Sequence, residues 1–504
     1  MSTPLHNRRE FLRRAALATG ATLLTPAAVL ADPYHPFRFG PATGREIRVR
    51  GRVTVDGRPR ARAAVSDGLT VVTTGNDGRY ELYTNDRRPF VFLSVPAGCA
   101  IPVHATGTAR TFYPVIFGPN GRMTADFALT TLEQSDERHA FLALGDTQTQ
   151  NAFEMGRLHD ESVPDLISTV ASLGSVPLFG VAVGDLMFDD LSLYPEYERA
   201  VSRVGIPFFQ VVGNHDLDLK SPDDPGSVTT FQGRFGPTWY SFDRGSVHYV
   251  VLDDVFYYSG GYIGHLDADQ LAWLAQDLAL VEAGRTVVVF QHIPGLSNDF
   301  RRNGEARPEP SVSLTNRQAL YRLLEPFDAH LITGHMHEHE HVFEGGVHEH
   351  VLGTTCGAWW SDDICHDGTP NGYAVFEFDG SRLKWRYKGT GLTDATRLRV
   401  YERGSEPQAP DEIVANVWDW DPSCLVTWYE DGVRRGPMSR RTGRDPMAVL
   451  RFTGPQKPER RTWVEPSMVD HLFYAPVAEH AGDVVVEFTD RFGGTWTARP
   501  QPVT

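Results

Sequence analysis

The chain has few cysteines and lacks the paired cysteine spacing that holds zinc. Its 504 residues include Cys99, Cys356, Cys365 and Cys424, and no two of these form a CxxC pair. A thiolate zinc site is therefore not expected. Cys356 and Cys365 lie close together in one predicted loop, where either a disulfide or two buried free thiols would agree with the sequence.

The chain also lacks an excess of positive charge. Its 48 Lys and Arg residues are outnumbered by 64 Asp and Glu residues, which gives a net charge of −16. This balance argues against binding of nucleic acid or of an anionic membrane surface by charge alone. It leaves chemistry on a small phosphate ester open, because bound metal ions invert the sign of the local field.

Long apolar runs are missing, with one exception near the N-terminus. The pair Arg8-Arg9 precedes an apolar stretch, 15–30, which ends in the small-residue pattern Val29-Leu30-Ala31. This pattern predicts a twin-arginine signal peptide over residues 1–31, export by the twin-arginine machinery, and a periplasmic or secreted protein without a membrane span. The alternative is a single membrane anchor, but the run is shorter than the roughly 20 apolar residues that a span needs.

The length exceeds what one hydrophobic core holds, and the residue pattern divides the remainder into three parts. Residues 45–131 contain short alternating segments separated by turns such as Asn76-Asp77-Gly78, which predicts a β-sandwich. Residues 138–390 alternate apolar strands with helical patterns, including a helix at Asp267–Val281, and predict a layered α/β or α+β domain. Residues 392–504 predict a second, smaller β-rich domain.

In the middle part, polar residues follow apolar strands, usually with a glycine directly before them. Because polar residues after buried strands lie at the lip of a sheet, we expect them to form one site. Carboxylate, amide and neutral imidazole groups suit divalent cations, and two such ions can clamp a phosphate. The five segments are Leu144-Gly145-Asp146-Thr147-Gln148, Val183-Gly184-Asp185-Leu186-Met187, Val212-Gly213-Asn214-His215-Asp216, Phe290-Gln291-His292-Ile293-Pro294 and Thr333-Gly334-His335-Met336-His337.

In this order the five segments closely resemble the motifs of the calcineurin-like metallophosphoesterases. The resemblance covers about half of the chain, and the flanking β-domains resemble those of a bacterial exported subgroup. It implies a four-layer α/β core with a β-sheet sandwich, between an N-terminal sandwich and a C-terminal β-domain. The N-terminal part, with Gly51-Arg52-Val53 and the turn before Arg79-Tyr80, itself resembles a transthyretin-like, carboxypeptidase regulatory-like sandwich.

The resemblance implies a dinuclear site and a hydrolase. Asp146 and His337 would bind the first metal, and Asp185 would bridge both ions. A metal-bound hydroxide would attack phosphorus, and His215 would protonate the leaving oxygen as general acid. The ions would be Mn, Fe, Zn or Co, and the second would be bound by three further residues, Asn214, His292 and His335.

Two departures from the family's pattern affect the site. The family usually has Asp-x-His where this chain has Asp146-Thr147-Gln148, so Gln148 is either a weaker, neutral ligand or a group next to the ligands. A minority of the family, including some animal phosphatases, resembles this chain in carrying Asp-x-Gln. The family's usual partner for the catalytic histidine is replaced by Phe188, so Asp189 or Asp216 is expected to orient His215.

Aromatic residues near the last motifs are candidates for substrate binding. Trp359 and Trp360 follow the final strand of the site and could stack on a base, sugar or aryl group, or could fill the seam between domains. Tyr257 could line the same mouth. The remaining histidines behind the last motif are expected at the surface or beside the ligands. They are His339, His341, His348 and His350.

The sequence therefore predicts an exported phosphomonoesterase or phosphodiesterase that acts on a small ester and binds no nucleic acid stably. Asp253 and Asp254 end a further strand and are candidates for supporting a ligand histidine. The alternative is a non-catalytic surface binding or adhesion protein on the same scaffold. The presence of nearly every expected ligand, together with His215, favours the enzyme.

Overall fold

The computed structural model describes residues 44–116, 119–455 and 457–503. The predicted signal peptide, 1–31, lies outside these residues. Within them, no helix is both long enough and apolar enough to cross a membrane.

The N-terminal part is a sandwich of two β-sheets. One sheet has the order β2-β1-β5, with β8 and β9 also paired to β1, and the other has the order β4-β3-β6-β7. Burial alternates along β1, so Ile47, Val49 and Val53 point into the core between the sheets. The strands are β1 (Glu46–Val55), β2 (Arg58–Pro59), β3 (Ala64–Ser66), β4 (Val71–Thr73), β5 (Arg79–Asn85), β6 (Phe90–Leu93), β7 (Phe112–Pro114), β8 (Arg122–Thr124) and β9 (Phe127–Leu129).

The middle part contains two large sheets packed face to face, with helices outside them. The strands are β10 (Arg138–Leu144), β11 (Leu178–Val183), β12 (Phe208–Val211), β13 (Tyr240–Arg244), β14 (Val247–Val251), β15 (Val255–Tyr258), β16 (Gly261–Gly264), β17 (Thr286–Phe290), β18 (Asp328–Thr333), β19 (Glu340–Glu344), β20 (Val347–Val351), β21 (Gly372–Asp379) and β22 (Arg382–Gly389). The helices are α1 (Ala152–Arg157), α2 (Val163–Ser172), α3 (Tyr194–Ser202), α4 (Asp224–Ser227), α5 (Thr229–Phe235), α6 (Ala268–Leu278), α7 (Asp299–Arg302) and α8 (Arg317–Leu324).

The two sheets share an aromatic core. The first has the order β12-β11-β10-β21-β22 and the second the order β13-β14-β17-β18-β20-β19. Phe141 on β10 meets Tyr249 on β14 and Phe290 on β17, with ring centroids 5.7 and 5.4 Å apart. Strands β10, β11 and β12 are parallel to one another, as are β14, β17, β18 and β20, so their carboxyl ends lie at common sheet edges.

The predicted helix at Asp267–Val281 is observed as α6, and the apolar strands before the five ligand segments are observed as β10, β11, β12, β17 and β18. Asp267 caps α6 as expected, because its carboxylate accepts the amide N–H of Gln270 at 2.7 Å. Strands β21 and β22 were not predicted, although they complete the first sheet and β21 runs antiparallel to β10. The alternation of charged and apolar residues in Leu383-Lys384-Trp385-Arg386-Tyr387 is the signal for β22.

The C-terminal part is β-rich, as predicted, and contains two four-stranded sheets. Their orders are β23-β24-β28-β27 and β26-β25-β29-β30. Asn416 on β24 donates to the backbone oxygen of Asp367 at 3.1 Å, which ties this part to the middle one. The elements are β23 (Arg399–Tyr401), β24 (Glu412–Asn416), β25 (Leu425–Glu430), β26 (Val433–Pro437), β27 (Ser439–Gly443), α9 (Pro446–Thr453), β28 (Val469–Pro476), β29 (Val484–Thr489) and β30 (Thr495–Ala498).

Replacing His248 with Gln is expected to lower the free energy of unfolding by about 3–5 kcal/mol below neutral pH, because the change leaves buried carboxylates without a cation. The ring of His248 lies between Asp243 and Asp277, 2.9 Å from each. Burial lowers the pKa of His248, but the two carboxylates outweigh burial and raise it to about 10.

Because the pKa is raised in the folded state, the contribution of His248 is complete below its unfolded pKa of about 6.5. It declines above that pH and is lost as the pH passes about 10. Urea unfolding of both proteins at pH 6 and pH 9.5 measures the difference. A difference that is equal at the two pH values would contradict this account.

Candidate metal centre

Six side chains from five strand ends meet where the carboxyl edges of the two core sheets adjoin. The imidazole nitrogen Nε2 of His292 lies 3.3 Å from the carboxylate of Asp185 and 3.1 Å from Oδ1 of Asn214. Nδ1 of His335 lies 3.2 Å from the same nitrogen. Nε2 of His337 lies 3.5 Å from Oδ1 of Asp146, and the backbone N–H of His335 donates to Oδ2 of the same aspartate at 2.9 Å, so these six of the seven predicted ligand side chains gather here.

Glycines let these segments approach one another closely. A Cβ atom on Gly184 would lie 2.3 Å from Nδ1 of His292, and one on Gly213 would lie 2.3 Å from Oδ1 of Asp185. A Cβ on Gly334 would lie 2.4 Å from Oδ2 of Asp146. Close packing at the site therefore requires the glycines that precede Asp185, Asn214 and His335.

The ligand segments also hold strained backbone. Asp146, Asp185, His335 and His337 have φ angles of 34°, 49°, 69° and 53°, in the left-handed region that side chains other than glycine rarely adopt. Gln148 has a φ of 40°. Such strain persists where the surrounding structure imposes it, and it is concentrated at functional sites.

Backbone carbonyls fix the orientation of all three histidines. Nδ1 of His292 lies 2.9 Å from the carbonyl of Val183, Nε2 of His335 lies 2.9 Å from that of Ser311, and Nδ1 of His337 lies 3.0 Å from that of Gly357. A ring nitrogen that faces a carbonyl carries the proton, so the other nitrogen keeps its lone pair for a metal ion.

The carboxylates complete a donor set suited to divalent ions. Oδ1 of Asp146 is buried and has no hydrogen-bond partner among the described residues. Burial raises the pKa of Asp185, but the charges of His292 and His215 outweigh burial and lower it, so this buried carboxylate stays ionised. Carboxylate oxygens, an amide oxygen and imidazoles that give up a proton when they bind an ion together match the preferences of Mn, Fe, Zn or Co.

His215 lies beside this centre and is held by Asp189. Its Nδ1 lies 2.8 Å from Oδ1 of Asp189, and its backbone N–H donates to Oδ1 of Asp185 at 2.8 Å. Its ring stacks on Phe188 with centroids 4.3 Å apart. Burial lowers the pKa of His215, whereas Asp185 and Asp189 raise it to about 9, and an ion on Asp185 would oppose that rise.

Three family models match consecutive stretches of the chain. The model of the calcineurin-like phosphoesterase domain matches residues 139–339. The models of the N-terminal and C-terminal domains of calcineurin-like phosphoesterases match residues 47–132 and 349–496. The chain belongs to the calcineurin-like phosphoesterase family. The C-terminal model begins within β20, so it includes β21 and β22 of the core sheet as well as the last β-rich part.

Individual relatives match over shorter stretches. The serine/threonine-protein phosphatase CPPED1 of Bos taurus is 31% identical over 138 residues, which is 25% of this chain and 44% of the relative, so the match spans less than half of that protein. A dimetal phosphatase from Danio rerio is 15% identical over 50% of this chain and 96% of its own, with a TM-score of 0.32. A purple acid phosphatase from yellow lupin is 13% identical over 65% of this chain and 67% of its own, with a TM-score of 0.36.

Gln148, at the position of the family's usual histidine, reaches the centre. Its Nε2 donates to Oδ2 of Asp185 at 2.9 Å, and its backbone N–H donates to the carbonyl of Asp185 at 2.8 Å. A half-turn of the amide would exchange Nε2 and Oε1, so the side chain can serve either as a neighbour of the ligands or as a ligand. Its role as a ligand stays a prediction.

The alternative that Asp216 orients His215 does not agree with the structure. The carboxylate of Asp216 is buried and accepts backbone N–H groups from Leu186, Met187 and Gly213 at 3.0–3.2 Å. It therefore braces the loop that carries Asp185 and has no hydrogen bond to the imidazole.

The predicted aromatic mouth requires two corrections. Trp360 is 2% exposed, and its indole N–H donates to the carbonyl of Thr147 at 2.8 Å, so it fills the core. Tyr257 is 5% exposed, and its hydroxyl donates to the carbonyl of Leu219 at 2.7 Å. Only Trp359 remains at the centre, where its ring stacks on His337 with centroids 3.8 Å apart.

The cysteines in this region are free thiols. Cys356 and Cys365 are both fully buried and form no disulfide, in agreement with the second of the two alternatives. The sulfur atom of Cys356 lies 3.7 Å from Nδ1 of His337.

Two supporting residues had weak or no sequence signals. Asp254 accepts the backbone N–H of His292 at 3.1 Å and that of Ile293 at 3.2 Å, so the second of the two strand-end aspartates braces the segment of a ligand. Arg461 comes from the C-terminal part, where its guanidinium lies 4.5 Å from the ring of Phe188. Only the tertiary fold brings Arg461 to this place, so no local pattern indicates it.

Proposed function

We propose that this protein is a metal-dependent phosphoesterase whose dinuclear centre is formed by the six gathered side chains. The observation that carries the proposal is the convergence of those ligands with His215 and Asp189. The family relationship and the phosphatases to which the chain is similar support the same reaction class. Two bound divalent ions would supply positive charge for the phosphate oxygens and would lower the pKa of a water molecule to near neutral.

The residues of the chain position the ester and move a proton. Asp189 occupies Nδ1 of His215, which leaves Nε2 as the nitrogen that delivers a proton to the leaving oxygen. Phe188 stacks on the imidazole of His215 and holds its plane. Asp185 accepts the backbone N–H of His215 and so fixes its main chain. His215 therefore acts as general acid with its ring fixed from three directions.

The substrate is proposed to be a small phosphomonoester or phosphodiester with an organic group. The indole of Trp359 lies directly against a ligand histidine and offers an apolar surface at the edge of the centre. The net charge of −16 disfavours a long polyanion as the substrate.

The experiment that tests this function uses purified protein that is stripped of metal and then resupplied with Mn²⁺, Zn²⁺, Co²⁺ or Fe²⁺. Release of p-nitrophenol from its phosphate monoester and from the bis-diester is measured for each ion. Metal-dependent turnover that disappears in Asn214→Ala supports the proposal and ranks the two ester classes. If none of the four ions binds, the result contradicts the proposed enzyme and favours a non-catalytic binding protein.

Replacing Arg461 with Ala is expected to lower kcat about 5- to 10-fold without changing the bound metal, because the cation covers Phe188 and so helps to hold His215. Arg461 also donates to Gln150 and Glu154 at 3.0 Å each. Arg460→Ala is the matched control, since Arg460 stacks on the exposed ring of Phe153 at 4.3 Å. Equal kcat values for the two variants would contradict the role of Arg461.

We also propose that the protein works outside the cytoplasm after export by the twin-arginine machinery. The motif around Arg8-Arg9 supports this location. Export of a fusion to a reporter enzyme, compared with an Arg8→Lys, Arg9→Lys variant, tests it. Unchanged export of the variant would count against the signal.

A further inference from the structure

Four histidines and one aspartate form a second buried cluster between the core sheets and the C-terminal part. His330 on β18 pairs directly with His348 on β20, and His350 follows two residues later on the same face. His341 on β19 pairs with His350 from the other side. The register of three neighbouring strands therefore places four imidazoles on one sheet face, at the position where a core would normally hold apolar residues.

The ring nitrogens in this cluster lie unusually close together. Nδ1 of His330 lies 3.1 Å from Nε2 of His350, and Nδ1 of His341 lies 3.1 Å from Nε2 of His348. One nitrogen from each of His330, His348 and His350 falls within 4.8 Å of the other two. Around a tetrahedral ion with bonds of about 2.0–2.1 Å, neighbouring ligand nitrogens are roughly 3.3 Å apart, close to the separation between His330 and His350.

Hydrogen bonds among the imidazoles do not satisfy the cluster. His350 is 1% exposed, and its Nδ1 has no hydrogen-bond partner among the described residues. A buried polar atom without a partner destabilises the folded chain. Burial also lowers the pKa values of His330, His348 and His350, so these imidazoles are neutral and keep a lone pair for a metal.

Aromatic rings pack around the histidines, and a carboxylate lies behind one of them. Trp385 lies 4.8 Å from the ring of His350 and 5.0 Å from that of His348, and Phe343 stacks on His348 at 4.1 Å. Asp419, from the C-terminal part, accepts from Nε2 of His341 at 3.0 Å. A carboxylate behind an imidazole in this way fixes the ring and raises its basicity.

We propose that His330, His348 and His350 bind one transition-metal ion of the zinc, cobalt or nickel class, separate from the dinuclear centre. His341, held by Asp419, lies against His348 and positions it. His330 is near the start of β18, whereas the ligands of the other centre follow its end. Asp419 belongs to the C-terminal part, so the hydrogen bond that holds His341 crosses from that part to the core.

The first test leaves this cluster intact and removes the other centre. The double variant Asp185→Asn, His292→Ala is stripped of metal, resupplied with Co²⁺ and dialysed, and its metal content and visible absorption spectrum are measured. About one equivalent of Co²⁺ with the strong absorption of a four-coordinate ion is expected. A folded double variant that retains no ion would overturn the proposal, and this result needs no substitution in the cluster.

The second test removes the cluster and leaves the dinuclear centre. The variant His348→Gln, His350→Gln is expected to bind about one equivalent less than the wild-type chain and to lose the absorption bands that persist in the first variant. His480→Gln is the matched control, because His480 is exposed. Equal metal content in the folded cluster variant and in this control would overturn the proposal. If the cluster variant does not fold, the first test decides alone.

Discussion

Replacing Asp185 with Asn is expected to reduce the turnover of a phosphate ester by at least about 1,000-fold, because one carboxylate serves the whole centre. Asp185 lies 3.3 Å from Nε2 of His292 and accepts from the backbone of His215 and the amide of Gln148. Asn has the same shape and keeps one acceptor oxygen, so the hydrogen bonds of the loop persist while the negative charge is lost.

Three measurements on Asp185→Asn separate chemistry from folding. Metal content is expected to fall together with kcat. The urea midpoint of the metal-free protein is also expected to fall, because the charges of His292 and His215 stabilise the ionised carboxylate of Asp185, and a cooperative transition shows that the variant is folded. Asp136→Asn is the control: this carboxylate is also buried, but it accepts from Gly98 and faces Arg244 far from the centre. The control is expected to lose stability and keep kcat. If Asp185→Asn kept full activity, Asp185 would not bridge the two metal ions.

The ligand residues could be predicted from the sequence because their signal is local. Each ligand follows a buried strand directly, and parallel strands bring their carboxyl ends to one sheet edge. A glycine precedes Asp185, Asn214 and His335 because another ligand residue packs directly against the backbone there. The packing is seen only in the folded chain, but the glycine can be read from the sequence. The same five segments therefore predict both the fold class and the residues that meet at the metal centre.

The remaining features depend on contacts between distant segments. Asp216 directly follows His215 in sequence, whereas Asp189 lies 26 residues before it, and only the fold of the loop decides that Asp189 meets the imidazole. Trp360 turns into the core because the carbonyl of Thr147 accepts its N–H, a partner more than 200 residues away. The histidines behind the last motif were expected near the surface or the ligands, but strand register buries His348 and His350 on one face.

Replacing His215 with Ala is expected to reduce kcat by about 100- to 10,000-fold for an alkyl phosphate, the range that general acid catalysis supplies. For a p-nitrophenyl ester the reduction is expected to be much smaller, because p-nitrophenolate leaves without a proton. Metal content should remain unchanged, since the structure places no ligand atom of the centre on this imidazole. The measurement is kcat for both esters with ion content determined on the same samples.

Asp189→Asn tests the same proton route through the residue that positions it. Asn keeps an oxygen that accepts from Nδ1 of His215 but removes the charge that holds the imidazole protonated, so a loss of about 10-fold is expected for the alkyl ester. The chain carries this carboxylate one residue later than the family's usual partner, and the backbone at Asp189 adopts a φ of 64°. That left-handed turn swings the carboxylate back to the imidazole, while Phe188 stacks on the ring from the vacated position. If each variant lowers kcat for the alkyl and the p-nitrophenyl ester by the same factor, His215 does not deliver a proton to the leaving group. It would then bind the phosphate in the ground state instead.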